Sequence, residues 1–157
     1  FVQICTQRQI WDNHSGIVGG LKKCCGRTDQ PIAALLKDLK QRGLLEDTLV
    51  VWGGEFGRMP IAQMPDKKNL STAGRDHNPR GFTVWLAGGG VKAGSVYGAT
   101  DELGYEAVEN HVSVTDFHAT LLHLLGMHHE GLFFDHNGLE EKLTSVFEAR
   151  VVHELLA

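Results

Sequence analysis

Cysteine is scarce in this sequence: three residues, Cys5, Cys24 and Cys25, the last two adjacent. That is neither a disulfide framework nor a CxxC metal knuckle, so cysteine usage leaves the redox compartment open. Basic charge is not in surplus either. Fifteen Lys and Arg stand against nineteen Asp and Glu, a formal net charge of −4 with nine His counted neutral. No electrostatic footprint for nucleic acid results. No apolar run reaches the ~18–20 residues needed to span a bilayer. Internal repeats and low-complexity tracts are missing too. What remains is a globular balance of 42% apolar and 22% charged residues over 157 positions. That is too apolar for disorder and suits one domain.

Residues 48–53 (TLVVWG) and 82–88 (FTVWLAG) are β-branched and aromatic runs closed by glycine, the pattern of strands covered on both faces in a parallel sheet. Residues 1–5 (FVQIC) read the same way, with no Met before them. Domain starts are usually polar and frayed, so the expectation is the C-terminal part of a longer chain whose remainder supplies neighbouring strands. A helix is predicted between the first two strands. Asp29 would cap it, Pro31 suits its first turn, Ile32, Leu35, Leu36 and Leu39 recur at helical spacing, and Gly43 would end it. Strand, helix, strand implies a right-handed parallel crossover. A second helix is predicted over 114–125, capped by Ser113 or Thr115 and stopped by Gly126, and a third over 148–157. The segments 56–80 and 89–112 read as long polar loops, of the kind that more often carry function than not.

Three clusters occupy positions after or beside these strands, where open α/β sheets bind ligands. They are Asp12 and His14 in WDNH, Glu55 and Arg58 in GGEFGR, and Asp76 and His77 in GRDHNP. Each has a purely structural alternative: an Asx-bonded turn at WDNH, a Glu55–Arg58 ion pair, a turn ahead of Pro79. Together they bring two imidazoles and three carboxylates from three segments. That donor set suits Zn or Mn, whereas Ca prefers oxygen alone. A cation so held polarises a phosphoryl or sulfuryl oxygen, and Arg58, Arg75 or Arg80 would take an anionic ester in bidentate fashion. The remaining His are read as helical or loop residues, and Cys24 and Cys25 as partly buried thiols.

Three stretches carry a resemblance: TLVVWGGEFGRMP, GRDHNPRGFTVWLAGGGVKAGSVYGATDELGY and HVSVTDFHATLLHLLGM. They resemble the uncharacterised sulfatase-like family of the alkaline phosphatase superfamily, along the whole chain. The resemblance implies a three-layer α/β/α fold with a mostly parallel sheet, residues 1–157 being a single C-terminal portion of it. It implies a metal-dependent hydrolase of sulfate or phosphate esters, exported and hence extracytoplasmic. The nucleophile would lie outside this chain, leaving the isolated chain inactive; Cys24-Cys25-Gly26-Arg27 lacks the Pro of the sulfatase pattern Cys/Ser-x-Pro-x-Arg. By the same resemblance Asp12, His14 and His77 are metal ligands. Glu55 is a ligand or base, with Phe56 where the superfamily has a ligand His, and Arg58 stands beside it. From the residues themselves, Asp76 is expected as a further ligand or as the carboxylate that orients an imidazole, and Arg75 and Arg80 as the groups that hold the substrate. The loss of the second His also allows a non-catalytic binding or scaffolding role. The expected partners are a small anionic ester and either the remainder of the chain or a second copy.

Overall fold

The computed structural model describes residues 1–6, 9–144 and 146–157. Among them are two α-helices, α1 (Ile17–Gln41) and α2 (Val114–Leu124), and eight short strands. The strands are β1 (Val50–Trp52), β2 (Gly57–Arg58), β3 (His77–Asn78), β4 (Trp85–Ala87), β5 (Ala99–Thr100), β6 (Ala107–Glu109), β7 (Phe133–His136) and β8 (Leu139–Lys142). They pair as four two-stranded antiparallel ribbons: β1 with β4, β2 with β3, β5 with β6, and β7 with β8.

This overturns the expected three-layer α/β/α architecture with its parallel sheet. The two apolar runs do become strands and do pair, but Val50 faces Ala87 and Trp52 faces Trp85. The indoles of Trp52 and Trp85 stack at 6.4 Å, and Trp11 meets Trp52 edge-on at 6.3 Å. An apolar run has the same composition in either direction, and a parallel pair needs a crossover, usually helical. The segment between β1 and β4 contains no α-helix among the described residues. The expected strand at 1–5 does not form: residues 1–6 are irregular, with Phe1, Val2 and Ile4 exposed. Without it the βαβ unit has no first strand.

Helix α1 starts twelve residues before Asp29, which is therefore not its cap. Its N-cap is Gly16 in the left-handed region (φ 57) with no side-chain cap. Two of its free amides are met by distant backbone instead, Gly16 N–H donating to Thr72 O and Ile17 N–H to Ala73 O. Pro31 lies inside the helix; it forfeits one backbone bond, and the strong helix formers after it carry the helix on. One glycine in the first half, Gly20, has a packing reason. A Cβ at Gly20 would collide with the Asn13 side chain. One turn further on, buried Cys24 donates its thiol to Ile10 O at 2.9 Å. The Gly20–Cys24 face is thus the seat of segment 10–14, which carries Asp12 and His14. The helix ends as expected: Gly43 has φ 70, and Leu44 N–H reaches back to Leu39 O in a Schellman arrangement.

Helix α2 keeps both expected ends. Ser113 and Asp116 form a reciprocal capping box, and Gly126 follows at φ 76. The predicted helix at 148–157 is replaced by an extended segment with one 3-10 turn at His153–Leu155. Its amides are claimed from outside. Arg150 N–H donates to Asp116 Oδ1 and Val152 N–H to Thr120 Oγ1, while Ala157 N–H donates to Gly90 O. Val152 and Ala119 are completely buried at this seam. The β7–β8 hairpin was not expected, although Asn137-Gly138 at its turn, both with positive φ, is a strong hairpin signal.

Asp116 gives the seam a pH dependence. Burial raises its pKa, but the Arg150 and Ser113 amides and the Ser113 hydroxyl outweigh this, and the net direction is below the ordinary 3.8. A lowered folded value stabilises the fold above 3.8, and that contribution is lost as pH falls through the folded value. In urea unfolding, the advantage of wild type over Asp116→Asn should be constant near neutrality and shrink as pH falls below 3.8. A gap that persists unchanged into acid would contradict this.

Candidate metal centre

The loop expected at 56–80 folds into the scaffold of the site. Strands β2 and β3 pair so that Arg58 faces His77, which puts their side chains on one side of the ribbon. Segment 10–14 is laid beside it by Arg75 N–H donating to Asn13 O at 3.0 Å. Gly74 makes the approach feasible: a Cβ there would run into the His14 carbonyl and the Ser15 nitrogen.

Asp12 Oδ1 is the hub. His14 Nε2 and His77 Nε2 each lie 2.9 Å from it, and Arg58 Nη1 donates to it at 2.8 Å. Arg58 Nη2 also donates to Trp11 O, which holds the guanidinium in place. The two imidazoles tilt against each other with centroids 4.9 Å apart. The pKa of Asp12 is lowered to about 2, first by the hydrogen bond from His77, then by that from Arg58, against some desolvation. Asp12, His14 and His77 each offer a ligand atom, all within 4.8 Å of one another, and so form a group able to hold a metal ion. All three are half-buried, which leaves access for an ion and further ligands from solvent.

The other expected site residues are placed differently. Asp76 is exposed; its carboxylate accepts from the His77 amide at 2.8 Å and lies 3.7 Å from His14 Nδ1. It flanks the His14 imidazole and the His77 backbone without joining the triad. Glu55 is exposed between β1 and β2, outside the triad, and Arg58 is paired with Asp12, not with Glu55. Arg75 is turned inward, donating to Met59 O at 2.7 Å, a structural tie across the ribbon. Arg80 lines a cleft of about 320 Å³ with Met59, Asn78, Pro79, Tyr105 and Glu106, and none of the triad residues lines it. Buried Asn78, to which the sequence assigned no role, donates to Gly104 O and Tyr105 O and so fixes the strand that carries His77. Gln63, whose Oε1 lies 2.7 Å from His14 Nδ1, was also missed; it stands in a polar stretch with no pattern to single it out. Cys24 is buried and Cys25 exposed.

Fold and site together define a mixed chain of helices and short antiparallel ribbons with a half-buried Asp-His-His group whose geometry could accept a metal ion, and no described helix long and apolar enough to cross a membrane. A family model described as "Protein of unknown function (DUF1501)" matches residues 1–156, and the chain belongs to that family. No curated protein and no solved structure matches. The family match corrects the resemblance to the sulfatase-like family: no sulfatase or alkaline phosphatase family model is found on this chain.

Proposed function

We propose that the protein hydrolyses phosphate or sulfate esters with the help of one divalent cation, Zn or Mn, held by Asp12, His14 and His77. The observation that carries this reading is the convergence of two imidazole nitrogens on one carboxylate oxygen at 2.9 Å each. Nitrogen and carboxylate donors together select a borderline transition metal over Ca. Such an ion supplies Lewis-acid polarisation of the ester oxygens. Arg58, already at the hub, adds a fixed positive charge for the anionic group. In the net reaction water adds to phosphorus or sulfur, the P–O or S–O ester bond breaks, and the alcohol leaves with a proton. The test is a panel of aryl phosphate and sulfate esters assayed with Zn, with Mn and after chelation. Turnover that survives chelation unchanged would sink the proposal.

A second reading, a non-catalytic binding or scaffolding role, is favoured by one contact. The Phe56 ring stacks on the His77 imidazole at 5.5 Å, and Glu55, the expected base, stays outside the triad. Metal binding without turnover on any ester of the panel selects this reading.

We also propose that further polypeptide, a second copy or additional sequence, covers much of this surface. The chain exposes 11728 Å², about half as much again as the ~7,800 Å² expected for a folded monomer of 17.3 kDa. Val51, Trp52, Phe133, Phe134 and Phe147 are among its exposed side chains. Residues 1–157 alone should bind a hydrophobic dye strongly and elute above monomer mass in light-scattering chromatography. A dye-silent monomer would refute this.

A further inference from the structure

His14 Nδ1 has two oxygens near it: Gln63 Oε1 at 2.7 Å and Asp76 Oδ1 at 3.7 Å. An ionised carboxylate only accepts hydrogen bonds, as does an amide oxygen. The hydrogen therefore belongs on Nδ1, and in the neutral ring Nε2 carries only a lone pair. That lone pair lies 2.9 Å from Asp12 Oδ1, itself an acceptor. Two lone pairs at such a distance repel, and the repulsion is removed either by a second ring proton, which makes Nε2 a donor to Asp12, or by a cation shared between them. Gln63 is held for this task by backbone bonds in both directions with Gly74, each 2.8 Å, next to the Arg75–Asn13 bond that seats segment 10–14.

We infer that Gln63 is the positioning residue of the centre: its carbonyl fixes the Nδ1–H form of His14 and turns Nε2, lone pair outward, toward Asp12 and His77. The inference rests on the cation-binding reading above and adds a residue to it that does not touch the ion. In metal sites the second ring nitrogen of a ligating His commonly donates to such a partner, and losing it costs about 10–100-fold in metal affinity.

The experiment is a Co(II) titration of the intact protein, followed by its d–d absorption, for wild type, Gln63→Ala, Gln63→Glu and His77→Ala. Nitrogen-15 NMR of the His14 ring reports the tautomer. Gln63→Ala should weaken Co(II) binding about 10–100-fold and erase the Nδ1–H signature. Gln63→Glu, whose carboxylate accepts the same hydrogen, should restore both. If His77→Ala matches wild type, the cation site itself is wrong. If His77→Ala loses the metal while Gln63→Ala keeps it, only the role of Gln63 is overturned. A loss in Gln63→Ala that Gln63→Glu does not rescue also overturns it, since that pattern belongs to a structural defect.

Discussion

Replacing His77 with alanine is expected to lower zinc affinity by about 100-fold or more. A four-ligand zinc site binds with ~10–16 kcal/mol, so one ligand accounts for about 3 kcal/mol, roughly 100-fold. The ring of His77 touches Asp12 and the Phe56 face, and Asp12 keeps its bond to Arg58 when the ring is removed. The scaffold should therefore survive, with metal binding lost and any metal-dependent ester turnover lost with it. Isothermal titration with zinc, alongside circular dichroism, checks both halves. His136→Ala is the control, because His136 sits exposed on β7, its Nδ1 3.3 Å from Glu141 Oε1 and away from the triad. Equal zinc affinity in His77→Ala and wild type would exclude His77 as a ligand.

Gly74→Ala is expected to damage the centre without touching a ligand. Its new methyl would enter space held by the His14 carbonyl and the Ser15 nitrogen, both backbone atoms that no rotamer change can move. Gly74 is fixed on its other side by the two bonds to Gln63, so segment 13–15 must shift, and with it His14. Forcing an extra carbon into a filled site costs about 1–3 kcal/mol. The accompanying displacement should lower zinc affinity by roughly 10-fold or more, as loss of outer support does in metal sites. Gly19→Ala supplies the contrast: it lies within α1 with open space around its Cβ position, and should be neutral or stabilising by up to about 1 kcal/mol. Thermal melts of the two variants should move in opposite directions, or one should not move. Equal melts and equal zinc affinities would show that the close approach at Gly74 is not maintained in solution.

The sequence alone determined what depends on near neighbours. Ser113 and Gly126 bound α2 because a hydroxyl cap and a left-handed glycine act within one turn. The runs at 50–52 and 85–87 are strands because β-branched and aromatic side chains favour extended chain. Asp12, His14 and His77 were legible as a donor set, since imidazole and carboxylate brought together from two polar segments have a recognisable chemistry whatever the sheet does.

Tertiary structure decided the rest, because it turned on partners far away in the chain. Strand direction was one such case: β1 and β4 have the same apolar content in either sense, and what connects them sets the choice. The start of α1 was another, since its first amides are capped by Thr72 and Ala73 and leave no local mark. The last segment stays extended because Asp116 and Thr120 take the amides that a helix would have used internally. At the centre, Arg58 chose Asp12 over nearby Glu55, and Gln63 came to His14 through a backbone bridge to Gly74. A side chain's type states which bonds it is able to make; only the packed backbone brings one partner within 3 Å and leaves the other in solvent.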